Sequence, residues 1–412
     1  MRILMVSDQY APMIGGVPTV TRALATGLAG RGHAVAVLAP SPDRRGSASP
    51  ATSGTGRDGP GSGQDGPDGP GSGRLGQARV RYLPSAAWPF YDGMRLASPG
   101  AARRAMAASR RPDVVHIHCP LTLGATALIS ARRRRIPVVY TNHYLPVNVR
   151  PSARATPAAF DDAFYRLLLG FANRCSYVTA PTATALELLR GRGLRVPSRV
   201  ISNGVDTARY CPGPPDEQVR ARYGLRRDRP VILSVGRLSP EKGLDVLIDA
   251  AAALRCPAQV AIAGTGPQEA QLRARAARLG LAGRVTFLGF VPDADLPAVY
   301  RLADMFAIAS GAELQSLTTL AAMAAGLPVV AAAAGALAEL VRHGSTGLLF
   351  TPGDAAGLAA RADLLAGDAG LRRDLAAAAL QVAGTHERRR TLAEWERLYG
   401  LLVRTEPPGR QQ

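Results

Sequence analysis

Several things are scarce in this 412-residue chain, and each scarcity narrows the field. The four cysteines, Cys119, Cys175, Cys211 and Cys256, include no Cys-x-x-Cys pair and have no His at metal-ligand spacing. That argues against a disulfide framework and a structural zinc, and for a reducing compartment. Aromatic residues make up 5%, too few to interleave with basic residues as a single-strand nucleic-acid platform requires, so no nucleic acid is expected as a partner. The opening "MRILMVSD" meets an Asp too early for a signal peptide. The longest uncharged run, 314–338, is mostly alanine with Thr, Ser and Gln, and Gly326-Leu327-Pro328 interrupts it. A spanning helix needs about 20 strongly apolar residues, so a helix, a turn and a strand are expected here instead.

What is present points to a large α/β protein. The length suits two or three domains, and a hydrophobic content of 47% allows sizeable cores. The formal charge is +19, with arginine dominant. Such a field favours polyanions: anionic lipid heads or phosphorylated substrates. Part of it reflects a bias that writes Arg for Lys, and Arg132–Arg135 reads as a solvated helix end.

Apolar strands alternate with helical segments along the chain. "RILMVSD", a helix through "PTVTRALATGLAG" and "HAVAVLAP" form a βαβ unit, which requires a parallel sheet. The rhythm resumes at "PDVVHIH" and "IPVVYTNH", and restarts at "PVILSVGRL" after the linker "YCPGPPDE". The pattern predicts two doubly wound domains, residues 1–207 and 208–384. A terminal amphipathic helix in 385–412 is expected to pack back on the first domain. Residues 41–77, rich in Gly, Pro and Ser with "DGPGSG" twice, are expected to be a disordered surface insert.

In such sheets ligands gather at the carboxyl ends of the strands. Gly15 and Gly16 lie between a strand and a helix, where a backbone can approach an anion. Arg237 and Lys242 in "VGRLSPEKGLDVL" also follow a strand, after Gly236, and precede a helix. Their charges can converge on a diphosphate and stabilise the charge growing on it as it leaves. Gly264 and Gly266 in "AGTGP" end another strand and either admit a base or ribose or simply turn. His116 and His118 share one face of a strand, and Asn142 and His143 end the next. A lone strand His is more often a core residue; two such strand ends balance the core and functional readings, the latter being to orient a sugar or an acceptor hydroxyl.

Together "GGV", "HIH", "TNH", "NGVD", "GRLSPEKG", "AGTGP", "LGFVPDADLPAVYRLAD" and "AELQSL…AMAAGLPVV" resemble glycosyltransferase family 4 over nearly the whole chain apart from the insert. The resemblance implies the GT-B fold: two Rossmann-like domains facing across a cleft that holds a nucleotide-sugar donor. It implies a retaining mechanism and no metal or other cofactor. Carried over, Gly16 would lie near the donor diphosphate and the acceptor, His118 would touch the donor sugar, and Arg237 and Lys242 would hold the diphosphate. Glu313 would match the first Glu of the family's E-x7-E motif and contact the transferred sugar. Gly15, His143, Gly236, Gly264, Gly266, Ser316 and Leu317 would complete the donor site.

The sequence departs from the family at Ala321, where the second Glu, which grips the ribose, is expected, and at "ELQSL", where "EGFGL" is usual. The variant resembles relatives that act at membranes on lipid acceptors. A fully helical interval from 313 to 321 would rise about 12 Å, enough to serve both ends of a nucleotide sugar. Loss of the second carboxylate would weaken donor binding about ten- to a thousandfold, and neutral Thr318 and Thr319 cannot replace it. The expected function is transfer of a hexose from UDP-glucose or GDP-mannose to a lipid-linked or polyol acceptor, in the cytoplasm or on an anionic membrane face. The alternative is a silent homologue that only binds.

Overall fold

The computed structural model describes residues 1–42, 72–75, 78–88, 94–149 and 158–405. The chain divides into two compact units, Met1–Asn142 with Gly170–Val178 and Tyr399–Gln412, and His143–Leu169 with Thr179–Leu398. Both are built around largely parallel sheets, the doubly wound α/β architecture that the strand and helix alternation predicts.

The first unit contains β1 (Arg2–Val6), β2 (Ala34–Pro40), β3 (Ser72–Leu75), β4 (Ala78–Leu83), the hairpin β5 (Ser85–Ala87) and β6 (Arg95–Ala97), β7 (Val114–Ile117) and β8 (Val138–Thr141). Two short strands follow, β9 (Tyr177–Ala180) and β10 (Ser198–Val200). The main sheet runs β8-β7-β1-β2-β4-β3 across this unit. Every neighbouring pair is parallel except β3–β4. β7 and β8 are buried at every position, so their sequences do not alternate between apolar and polar, and their polar members His116 and Thr141 bond to each other.

Most of the expected disordered insert, 43–71, lies outside the described residues. Its end departs from that expectation: Ser72–Leu75 pairs antiparallel with Ala78–Leu83 and closes the sheet edge.

The second unit contains β11 (Val231–Val235), β12 (Gln259–Ala263), β13 (Val285–Gly289), β14 (Met305–Ile308), β15 (Val329–Ala332) and β16 (Leu348–Phe350), in the order β13-β12-β11-β14-β15-β16. All neighbours are parallel. The chain fills one side of β11 outward and then returns to the other side. The crevice between β11 and β14 is therefore the topological switch point, where connecting segments diverge and leave room for a ligand. In the first sheet the equivalent place lies between β1 and β7.

The uncharged run is the expected helix, turn and strand. Ser316 Oγ accepts a hydrogen bond from Thr319 N–H and starts the helix Leu317–Ala324. Gly326, at φ 78°, ends it in the left-handed conformation that glycine adopts without strain, and β15 follows. Residues 319–324 are all buried, which is why small alanines fill this helix. Among the described residues no helix is long and apolar enough to cross a membrane. The terminal helix Arg388–Thr405 buries Leu392, Trp395, Leu398, Tyr399 and Leu402 at helical spacing.

Candidate active site

In the second unit the switch point carries charge. After β11, residues 236–239 form a turn, Pro240–Lys242 a single 3-10 turn, and Gly243 (φ 59°) starts the helix Leu244–Ala253. After β14, residues 309–316 loop toward the helix start at Ser316. The two segments are tied together: Glu241 O accepts from Ser310 Oγ at 3.0 Å and from Gly311 N–H at 3.3 Å. Across this join Lys242 Nζ donates to Glu313 Oε1 at 2.7 Å. The Glu313 side chain keeps 10% of its exposure and Lys242 25%. A pair this dry attracts strongly, yet it stays close enough to solvent for a ligand to reach.

Glycines make this crowding possible. A Cβ on Gly264 would run into the Gly236 carbonyl oxygen, and Gly264 sits at φ 134° besides. A Cβ on Gly266 would strike the backbone of Leu238, and one on Gly243 the Ala309 carbonyl oxygen. The turn after β12 thus lies directly on the turn that carries Arg237, with Leu238 N–H bonded to Thr265 O at 3.0 Å. Nothing lies within 4 Å of where a Gly236 Cβ would stand, so that face is open.

Arg237 is half-buried in this turn, and Leu317 heads the capped helix. Ala321 is 5% exposed and belongs to the apolar core of the unit. One expectation about it fails. The interval from Glu313 to Ala321 is not helical throughout, because the helix begins only at Leu317. The loop must first pass Ser310 and the Ser316 cap, so the full helical rise does not apply.

In the first unit the switch point is filled by polar groups that serve the fold. Asp8 follows β1, is 2% exposed, and accepts from Leu123 N–H and Thr122 Oγ1 at the start of the helix Thr122–Arg133. Burial pushes its carboxyl up to about 6 despite those bonds. His116 is held at both nitrogens, by Tyr399 OH at 2.7 Å and Thr141 Oγ1 at 2.7 Å. His118, 1% exposed, stacks against it with ring centroids 4.0 Å apart, as the shared strand face predicts. Asn142 Oδ1 accepts from Tyr140 OH. Gly15 and Gly16 open the helix Gly16–Gly30 without a side-chain cap, and a Cβ on Gly16 would meet nothing within 4 Å. Of this group, His118 and the paired glycines lie on either side of the β1–β7 crevice.

His143 belongs to the second unit. It is partly buried, and loss of water lowers its imidazole to about 4, so the ring is neutral near pH 7.

Sequence reasoning misses two residues and one signal. Asp8 reads there as the end of a strand, and Gln315 as a mere departure from the usual motif. The signal is compositional: of 50 basic residues Lys242 is the only lysine. It sets a compact, strongly hydrated ammonium where every other basic side chain of the chain is a guanidinium.

Comparison with known proteins now bears on this geometry. Residues 14–209 match the family model "Glycosyltransferase Family 4", and residues 215–382 match "Glycosyl transferases group 1". The D-inositol 3-phosphate glycosyltransferase of Salinispora tropica is 34% identical over 358 residues, 80% of this chain and 71% of the relative. The protein of the same name from Nocardia farcinica is 36% identical over 271 residues; that match spans 62% of this chain and only 59% of the relative's length. The alpha-monoglucosyldiacylglycerol synthase of Streptococcus pneumoniae is 26% identical over 85% of this chain and 75% of its own. Among solved structures, HepE of Anabaena in complex with UDP and glucose superposes with a TM-score of 0.74 at 24% identity, covering 97% of this chain and 100% of that one. Sucrose-phosphate synthase of Thermosynechococcus elongatus gives 0.78 at 21%, covering 98% and 99%. These two likenesses speak to the fold.

Proposed function

The chain belongs to glycosyltransferase family 4, and from that premise we propose that it is a retaining hexosyltransferase. The donor is a nucleoside diphosphate hexose of the UDP-glucose or GDP-mannose type, and the acceptor is a hydroxyl of a polyol or of a lipid-linked molecule. The observation that carries this reading is the contact of Lys242 with Glu313 at the β11–β14 switch point. It sets a cation for the diphosphate beside a carboxylate for the sugar hydroxyls, which is the pairing that a sugar diphosphate needs.

The chemistry follows from the charges. As the bond from the anomeric carbon to the diphosphate oxygen breaks, negative charge grows on the leaving group. Lys242 and Arg237 stabilise it where it develops, which lowers the barrier rather than merely the ground state. The acceptor oxygen bonds to the anomeric carbon on the face the diphosphate leaves, and its proton passes to the departing phosphate oxygen. No metal is assigned a part in these steps; the two cations supply the positive charge. In this reading Gly15, Gly16 and His118 line the acceptor and sugar end, His143 acts as a neutral hydrogen-bonding group, and Gly236, Gly264, Gly266, Ser316 and Leu317 border the nucleotide.

The net charge of +19 and the relative that makes a glycolipid support a cytoplasmic protein working peripherally on an anionic membrane face. Ala321 favours weak donor binding, and in the limit a silent binding protein. Release of UDP or GDP from UDP-glucose and GDP-mannose, followed with an inositol phosphate or a diacylglycerol as acceptor, tests the reading. Turnover with one pairing supports it. No nucleotide binding in calorimetry and no turnover with any of the four pairings would sink it in favour of the silent homologue.

A further inference from the structure

Gln315 stands two residues beyond Glu313 and is 7% exposed. Both ends of its amide are engaged. Oε1 accepts from Asn203 N–H at 2.8 Å, and Nε2 donates to Ser202 Oγ at 3.1 Å. Turning the amide over would set two donors against each other at Asn203, so its orientation is fixed. Ser202 Oγ also accepts from Gly204 N–H at 3.1 Å and lies 2.8 Å from His386 Nδ1.

A hydroxyl has one proton and two lone pairs. Gly204 N–H and Gln315 Nε2 donate to Ser202 Oγ, whose own proton faces His386 Nδ1 at 2.8 Å and Gln315 Oε1 at 3.4 Å. Burial lowers the pKa of His386, which favours its neutral ring. Backbone bonds reinforce the network: Val205 N–H donates to His386 O at 2.8 Å, and Arg388 N–H to Val205 O at 2.9 Å.

Three segments distant in sequence therefore hold one another: 202–205, 313–316 and 386–388. Besides its ties to Glu241 O, the loop is anchored where Leu314 O accepts from Thr182 Oγ1 at 2.7 Å and Glu313 O from Ala336 N–H at 3.3 Å. The amide of Gln315 is the side chain of the loop that reaches the 202–204 segment. An apolar residue in its place would strand the Asn203 N–H and take a donor from Ser202.

We propose that Gln315 is a positioning residue: it clamps the loop so that the Glu313 carboxylate meets Lys242 and is presented to the sugar of the donor. The clamp rests on the donor-site reading for its purpose but not for its existence, and the two can be tested apart. Lys242 is the only side-chain amine, so its acylation by an amine reagent, read by peptide mass, reports how firmly Glu313 holds it.

In Gln315→Ala that rate is expected to rise about fivefold, the size of one net hydrogen bond lost. Ser202→Ala removes the same link from the other side and is expected to move it in the same direction. The double variant should be little worse than the worse single one, because the two share one network. Unchanged acylation in both variants overturns the clamp. Calorimetry gives the second arm: Gln315→Ala is expected to weaken UDP-glucose or GDP-mannose about tenfold while leaving UDP or GDP within about twofold, because Glu313 serves the sugar and the cations serve the diphosphate. Equal loss for sugar-bearing and free nucleotide also overturns it. If the unaltered protein binds no nucleotide, the donor reading fails, and the acylation rates still decide the clamp.

Discussion

The two units put different things at the same topological place. Between β1 and β7 two of the polar groups serve the fold: His116 is bonded at both nitrogens, and Asp8 caps a helix start. Between β11 and β14 the polar groups are opposite charges on separate loops, meeting where solvent still reaches them. A parallel sheet opens a crevice at its switch point in either case. Whether that crevice holds structure or chemistry depends on whether the side chains there are already satisfied by one another in the core.

The comparison breaks most visibly at Lys242. Lys242→Met is expected to lower kcat/KM about 10²- to 10³-fold, measured by nucleotide release, and Lys242→Arg to restore only part of it, because a planar guanidinium does not replace a compact ammonium. His118→Asn in the other crevice is expected to cost less, about ten- to a hundredfold. The reverse ranking would move the centre of the chemistry to the first unit.

Glycines sharpen the contrast next. Gly264→Ala forces a Cβ onto the Gly236 carbonyl and is expected to cost about 2–4 kcal/mol in urea unfolding. Gly16→Ala has open space around it and is expected to stay within about 1 kcal/mol or to stabilise. Similar losses at both would deny that the second site is the crowded one.

Ala321→Glu carries a smaller expected effect: about tenfold tighter UDP or GDP binding by calorimetry, from charge-assisted bonds to the ribose. A loss of folded protein instead would mean that the core around residue 321 leaves no route to the ligand.

The smallest effects are two pH dependences of opposite sign, one in each unit. Asp8 has a folded pKa of about 6 against its usual 3.8. Its contribution is fully present below 3.8 and is lost as pH rises through about 6. His143 has a folded value of about 4 against 6.5. Its contribution is fully present above 6.5 and is lost as pH falls through about 4. Asp8→Asn is therefore expected to flatten a decline in stability toward neutral pH, and His143→Gln to flatten a rise, each on the order of 1 kcal/mol per pH unit within its window. Urea midpoints between pH 4 and 7 for each variant check the signs.

Much of the fold and of the candidate site is legible in the amino-acid sequence. Continuous apolar runs mark the strands, because a strand covered on both faces needs no alternation. The spacing of glycines and charges marks the turns at the strand ends, including Gly264, Gly266, Arg237, Lys242 and Glu313. The interval from Glu313 to Ala321 is misleading, because Glu313, Leu314 and Gln315 are themselves good helix formers and local propensity runs the helix back past its Ser316 cap. The strand at Ser72–Leu75 is hidden by glycine-rich surroundings, since its pairing energy comes from β4 and not from its own composition.

The sequence alone determined the doubly wound class and the family, because strand burial and turn chemistry are local and repeat along the chain. Only the tertiary structure decided which side chains meet. Lys242 and Glu313 are 71 residues apart, and His116 and Tyr399 are 283. At such separations the strand order, not the local sequence, sets the contact, and so it makes a structural histidine of His116 and leaves Lys242 facing Glu313.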